Sequence, residues 1–161
     1  MVYKFRKQIR LGHDIYKDEC NICSITICAE NRRPIFLQDK FTKECVAFIY
    51  EYSRRFNIPF YIFKFLPDHL HLLLSSSGLK SIIDIVQELK GQITRIAWKH
   101  ELRGRVWQKS FYDHFLRKEE AVKTVVKYIL DNARRKGLVK DWTEYPYIGS
   151  TVYSIDDFKN L

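Results

Sequence analysis

Residues 59–74, PFYIFKFL-PD-HLHLLL, constrain the fold more than any other part of the chain. Both halves are rich in β-branched, aromatic and leucine side chains, and Pro67-Asp68 interrupts them. That dipeptide sets a tight connection, so the run predicts two strands over 59–66 and 69–74. Residues 21–29 (NICSITICA) are apolar and flanked by polar residues, which predicts another buried strand. Between these, residues 38–57 place Phe41, Cys45, Phe48, Ile49 and Tyr52 at helical spacing.

The second half repeats the alternation. Ser81-Ile82-Ile83-Asp84 is a capping box, in which hydroxyl and carboxylate each satisfy the other residue's backbone N–H. It opens a helix reaching about residue 100, with Ile82, Ile85, Val86, Leu89, Ile93, Ile96 and Ala97 as its apolar stripe. Arg103-Gly104-Arg105 breaks it, and residues 106–117 return as extended, aromatic-rich chain. Glu119-Glu120 opens a last helix where the macrodipole favours acids, and Gly137 stands where it should end. The order predicts an α+β domain of ferredoxin-like, split βαβ type. Its antiparallel sheet carries helices on one face and is followed by a C-terminal helix. One domain covers 1–161, with a core over about 20–137 and an irregular tail over 138–161.

Charge narrows the partners. Twenty-eight Lys and Arg against nineteen Asp and Glu leave +9, which favours polyanions. The excess is clustered at Arg32-Arg33, Arg54-Arg55, Arg103 with Arg105, and Arg134-Arg135-Lys136. No segment approaches the roughly 18 apolar residues of a membrane span. Met1 to Arg10 lack an apolar leader, so a cytoplasmic protein is expected. Cys20, Cys23, Cys28 and Cys45 include only half of a zinc-site spacing and read as reduced thiols.

Two constellations carry chemistry. Strand side chains alternate, so His69 and His71 share a face while Leu70, Leu72 and Leu74 take the other. Two imidazoles so placed are close enough to share one divalent metal; hydrogen-bonded surface histidines are the bland alternative. On the last helix, Val122, Val125, Val126, Ile129 and Ala133 form the core stripe. Tyr128 and Asn132, four apart, stack on one flank, and Arg135 continues it. An amide one turn from a phenol, beside an arginine, suits metal-assisted attack on a phosphate. A boundary tyrosine covering the core edge is the simpler reading.

Four motifs in order resemble the HUH single-strand DNA endonucleases, specifically the single-tyrosine transposases of the REP-associated type. They are Ile9-Arg10-Leu11 with Tyr16 and residues 24–28, then residues 65–72 (FLPDHLHL). Val106-Trp107-Gln108 with Phe111-Tyr112-Asp113-His114 follows, and finally Tyr128-Ile129-Leu130-Asp131-Asn132. One departure is Ala133, where these proteins often have proline. The resemblance implies a metal-dependent single-stranded DNA endonuclease and strand transferase acting on hairpin-containing DNA. In it Tyr128 is the nucleophile of a 5′-phosphotyrosine intermediate. A divalent ion, Mg²⁺ or Mn²⁺, is held by His69, His71 and the Asn132 side-chain oxygen. Arg10, Trp107, Tyr112, His114, Arg134 and Arg135 are candidates for DNA contact, and Phe111 for base stacking. A homodimer is left open, because related transposases share sites across one. The rival is a non-enzymatic single-stranded nucleic-acid-binding domain of RNA-recognition-like fold; a metal-dependent hydrolase with a structural Tyr128 is a third reading.

Overall fold

The predicted succession of strands and helices is present in the computed structural model, which describes residues 11–117 and 119–161. A short α1 (His13–Lys17) precedes β1 (Ile22–Cys28), and two 3-10 turns lead into α2 (Asp39–Phe56). Then come β2 (Phe60–Leu66), β3 (His69–Ser75), α3 (Ile82–Lys99), β4 (Tyr112–Phe115) and α4 (Glu119–Arg135). With a two-residue β5 (Ile148–Gly149) at one edge, the sheet order is β4-β1-β3-β2-β5, with every pairing antiparallel. Its first four strands make the ferredoxin-like arrangement that the element order predicts.

Apart from Asp113 on the edge strand, which accepts from the Tyr16 hydroxyl, one face of the sheet is apolar. Ile25, Ile27, Phe63, Phe65, Leu70, Leu72 and Leu74 meet Cys45 and Ile49 of α2 and Val86, Leu89 and Ile93 of α3. Each fully buried large side chain contributes about 1.5–3 kcal/mol. A register shift between Phe60 and Ile62 lets Phe60 and Phe63, three apart, enter the same core. The Ser81–Asp84 box forms as expected and starts α3.

The opposite face is covered by α4. Val122, Val126, Ile129 and Leu130 pack on Ile62 and Leu73, while Ala133 packs with Leu66 and Tyr145. Because α4 lies over β2 and β3, β3 is buried along its whole length. β4 alternates exposed and half-buried positions. Ala133 carries the helix through to Arg135, where proline would remove a backbone donor. Gly137, at φ 71°, then stops it: Leu138 N–H donates to Ala133 O and Gly137 N–H to Arg134 O, both at 2.9 Å.

Residues 138–161 depart from the irregular tail the sequence suggests. They hold a 3-10 turn, a two-residue β5 (Ile148–Gly149) pairing with β2, and α5 (Ile155–Lys159), whose Phe158 enters the α4-side core. β5 is too short to leave a periodic signal. A Cβ at Gly149 would overlap the Phe63 ring and the Tyr50 hydroxyl, so glycine lets this strand close on β2. Among the described residues, no helix is long and apolar enough to cross a membrane.

Candidate functional site

β3 turns His69 and His71 toward α4, and the strand register surrounds them. His71 lies between Thr26 on β1 and Lys64 on β2, while His69 pairs with Cys28 and Leu66. The two Nε2 atoms are 3.2 Å apart. His69 Nδ1 is 2.6 Å from Asp68 Oδ1, and His71 Nδ1 is 3.0 Å from Thr26 Oγ1. With each Nδ1–H donated outward, both Nε2 lone pairs face the same small volume.

Burial governs the charge states. Desolvation lowers the His69 pKa, against the pull of Asp68. It lowers that of His71 to about 3, helped by His69 and Lys136. Both rings are therefore neutral near pH 7, as ligation requires. Burial pushes the Asp68 carboxyl up, but its bond to His69 and the charges of His69, Arg32 and Lys136 hold it below the usual range.

α4 supplies the facing wall. Asn132 is buried, and its side-chain amide nitrogen is 3.0 Å from His71 Nε2. A half-turn of the amide exchanges Nδ2 for Oδ1 and presents an acceptor at the same place. Tyr128, four residues earlier, is offset by about 40° around the helix axis. That rotation carries its ring off the sheet to a position 51% exposed. The Arg135 guanidinium lies 4.2 Å from the Tyr128 ring centre, and its Nη2 donates to Tyr128 O at 3.0 Å. The flank predicted from spacing thus exists, with Asn132 turned inward and Tyr128 with Arg135 turned outward.

The donor set fits a divalent ion. Donors about 2.1 Å from one ion and meeting at right or tetrahedral angles are separated by roughly 3.0–3.4 Å, as the Nε2 pair is. Among the described residues no three His, Cys, Asp or Glu side chains gather for a metal. Asn132 is in reach.

The other sequence candidates separate. Arg10 lies outside the described residues. Trp107 is corrected: only 4% exposed, it packs in the α2/α3 core and gives its indole N–H to Lys90 O, so no ring face is left for a base. Phe111 is buried in that core too. Tyr112 and His114 are exposed on β4, opposite Thr26 and Ser24, on the sheet face that holds the histidines. Arg134 is exposed and paired with Asp131.

Sequence reasoning missed four neighbours. Asp68 was legible only as a turn residue, and Thr26 is brought in by register alone. Lys64 left a signal, a lysine inside the apolar run PFYIFKFL. It is fully buried, donating to Ile129 O (3.2 Å) and Leu130 O (2.7 Å) between Tyr128 and Asn132. Burial lowers its pKa to about 8, against the charge of Asp131. Arg32, visible only within a basic run, reaches Asp68 Oδ2 at 3.2 Å.

The ferredoxin-like sheet, its histidine pair and the helix with an asparagine and an exposed tyrosine are the features that the resemblance to single-tyrosine transposases leads one to expect. The sequence model of the IS200-like transposase family matches residues 18–132, and the chain belongs to that family. It is a transposase and acts on DNA. A REP-associated tyrosine transposase bound to a REP hairpin has the same fold, with TM-score 0.65 and 18% identity. That match covers 89% of this chain and 82% of the other. An uncharacterised protein of Haemophilus influenzae is 27% identical over 160 residues, covering 79% of this chain and 87% of that one.

Proposed function

We propose that this transposase cuts and rejoins single-stranded, hairpin-containing DNA through Tyr128, with a divalent ion, Mg²⁺ or Mn²⁺, at His69, His71 and Asn132. The observation that carries this is the 3.2 Å separation of two neutral imidazole nitrogens, with Asn132 against one of them. Asn132 stands one turn from Tyr128 on the same helix. An ion there supplies Lewis-acid polarisation of a phosphoryl oxygen and offsets the charge that builds on it.

The chain's own residues do the rest. Asp68 and Thr26 fix the imidazole tautomers, and Asn132 ties α4 to the pair. Arg135 holds the Tyr128 ring on the open flank, where a flexible strand can reach it. The Tyr128 oxygen attacks phosphorus, the bond to the 3′ oxygen breaks, and the phenolic proton leaves as the 3′ oxygen gains one. The product is a 5′-phosphotyrosine and a free 3′-hydroxyl. A second 3′-hydroxyl reverses the step, so no nucleotide is consumed.

The test uses labelled single-stranded DNA from the flanks of the coding gene, with Mn²⁺, on a denaturing gel. The expected result is a covalent protein–DNA band, lost with chelator and in Tyr128→Phe. Binding without any band would instead favour a binding module, and cleavage persisting in Tyr128→Phe a hydrolase.

A further inference from the structure

β1 ends in a turn where Asn31 and Arg32 take consecutive left-handed conformations, at φ 52° and 54°. Neither is glycine, and Cβ crowding disfavours this region for L-residues. Such strain persists only where surrounding contacts impose it, and it gathers at ligand-binding places. The contacts are present: Ala29 N–H donates to Asp68 O at 2.9 Å, Glu30 N–H to Val106 O at 2.8 Å, and Arg32 N–H to Ala29 O at 3.0 Å.

The turn folds Arg32 back over the sheet. Its Nη1 is 2.7 Å from Cys28 Sγ and its Nε 3.2 Å from Asp68 Oδ2, while its side chain stays 52% exposed. Asp68 therefore links the guanidinium to His69 through its two oxygens. A second cation approaches from α4. Lys136 stands one turn past Asn132, its N–H bonded to Asn132 O at 3.0 Å. Its ammonium is within electrostatic range of the Asp68 carboxylate and of Arg32, and partial burial lowers its pKa. Arg32 pairs with Asp68 directly and Lys136 stands nearby at the end of α4, so two cations accompany one carboxylate at the rim of the histidine pair. Around the helix, Lys136 is about 40° to one side of Asn132 and Tyr128 about 40° to the other.

We propose that Arg32 and Lys136 form a seat for a DNA backbone phosphate next to the scissile one, on the far side of Asn132 from Tyr128. This rests on the reading that the histidine pair receives the scissile phosphate. The guanidinium's remaining N–H groups and the ammonium grip an anion by charge-assisted hydrogen bonds. The strained turn aims the first of them, and the strand is threaded across the end of α4.

Two measurements on the full chain test it. In Tyr128→Phe, binding of the same single-stranded DNA is followed against salt. Arg32→Gln and Lys136→Gln should each flatten the slope of log affinity on log salt by about 0.7, and Arg32→Lys should restore it. In the cleaving protein, neutral methylphosphonate replaces one phosphate at a time. One linkage beside the cleavage point should slow adduct formation, and that penalty should vanish in Arg32→Gln and Lys136→Gln. Unchanged slopes overturn the seat, as does an Arg32→Gln variant that loses adduct while keeping its slope, for Arg32 then only positions His69 through Asp68. If Arg32→Gln does not fold, Lys136→Gln carries the same two readouts. Flattened slopes in a protein that forms no adduct would sink the Tyr128 reading and leave the seat standing.

Discussion

Toward α2 and α3, β3 presents Leu70, Leu72 and Leu74; toward α4 the same strand presents His69, His71 and Leu73. Both faces are covered, yet they are held differently. The first is close-packed hydrocarbon, stabilised in proportion to its buried area. The second buries two imidazoles, an amide and a lysine, each tied to a named partner. Buried polar groups disfavour folding unless they are bonded, so this face spends stability where the other gains it. A site placed between a sheet and a covering helix can be dry and rigid only on such terms.

The contrast is sharpest at His71 against its strand neighbour. His71→Ala should lower adduct formation by at least about 10²-fold while circular dichroism still reports a folded protein. Leu72→Ala, one residue on and on the other face, should cost about 2–5 kcal/mol in urea unfolding while the folded fraction keeps its activity. Equal effects of the two on activity would erase the distinction between the faces.

Lys64 gives the next effect, read through pH. Its pKa in the fold is lowered to about 8, chiefly by burial and against Asp131, with His71 beside it across the strands. The unfolded chain therefore binds more protons between about pH 8 and the ordinary lysine value near 10.5. Native stability relative to Lys64→Met should rise across that window, by on the order of 3 kcal/mol, and be flat below it. A difference that stays constant from pH 7 to 10.5 would refute the charged, buried lysine. The smallest expected change is Asp68→Asn, which should raise the Mn²⁺ concentration needed for adduct formation by about 10- to 100-fold. Titration of activity with Mn²⁺ measures it directly.

Much of this was readable in advance. β1 to β4, α2, α3 and the Ser81 box follow from periodicity and capping, because those signals are local. The alternation in HLHLLL assigned each β3 side chain to its face, and spacing put Tyr128, Asn132 and Arg135 on one helical flank. Trp107 misled, since an aromatic residue in a basic chain suits core and DNA contact equally and only burial separates them. Asp68 and Thr26 were hidden because a turn residue and a strand threonine gain their roles from the atoms opposite them. Lys64 was visible as an anomaly, but its partners, two carbonyls on a helix 65 and 66 residues away, were not.

The amino-acid order by itself determined the element succession from β1 to α4, the faces of β3 and the family, since each rests on covalent spacing along one strand or helix. Only the tertiary structure decided that α4 lies across the histidine face, turning Asn132 inward and leaving Tyr128 in solvent. It also decided that Arg32 reaches Asp68, with Lys136 in electrostatic range of the same carboxylate. Those outcomes depend on strand register and on how one helix is docked, and neither is written in the spacing of neighbouring residues.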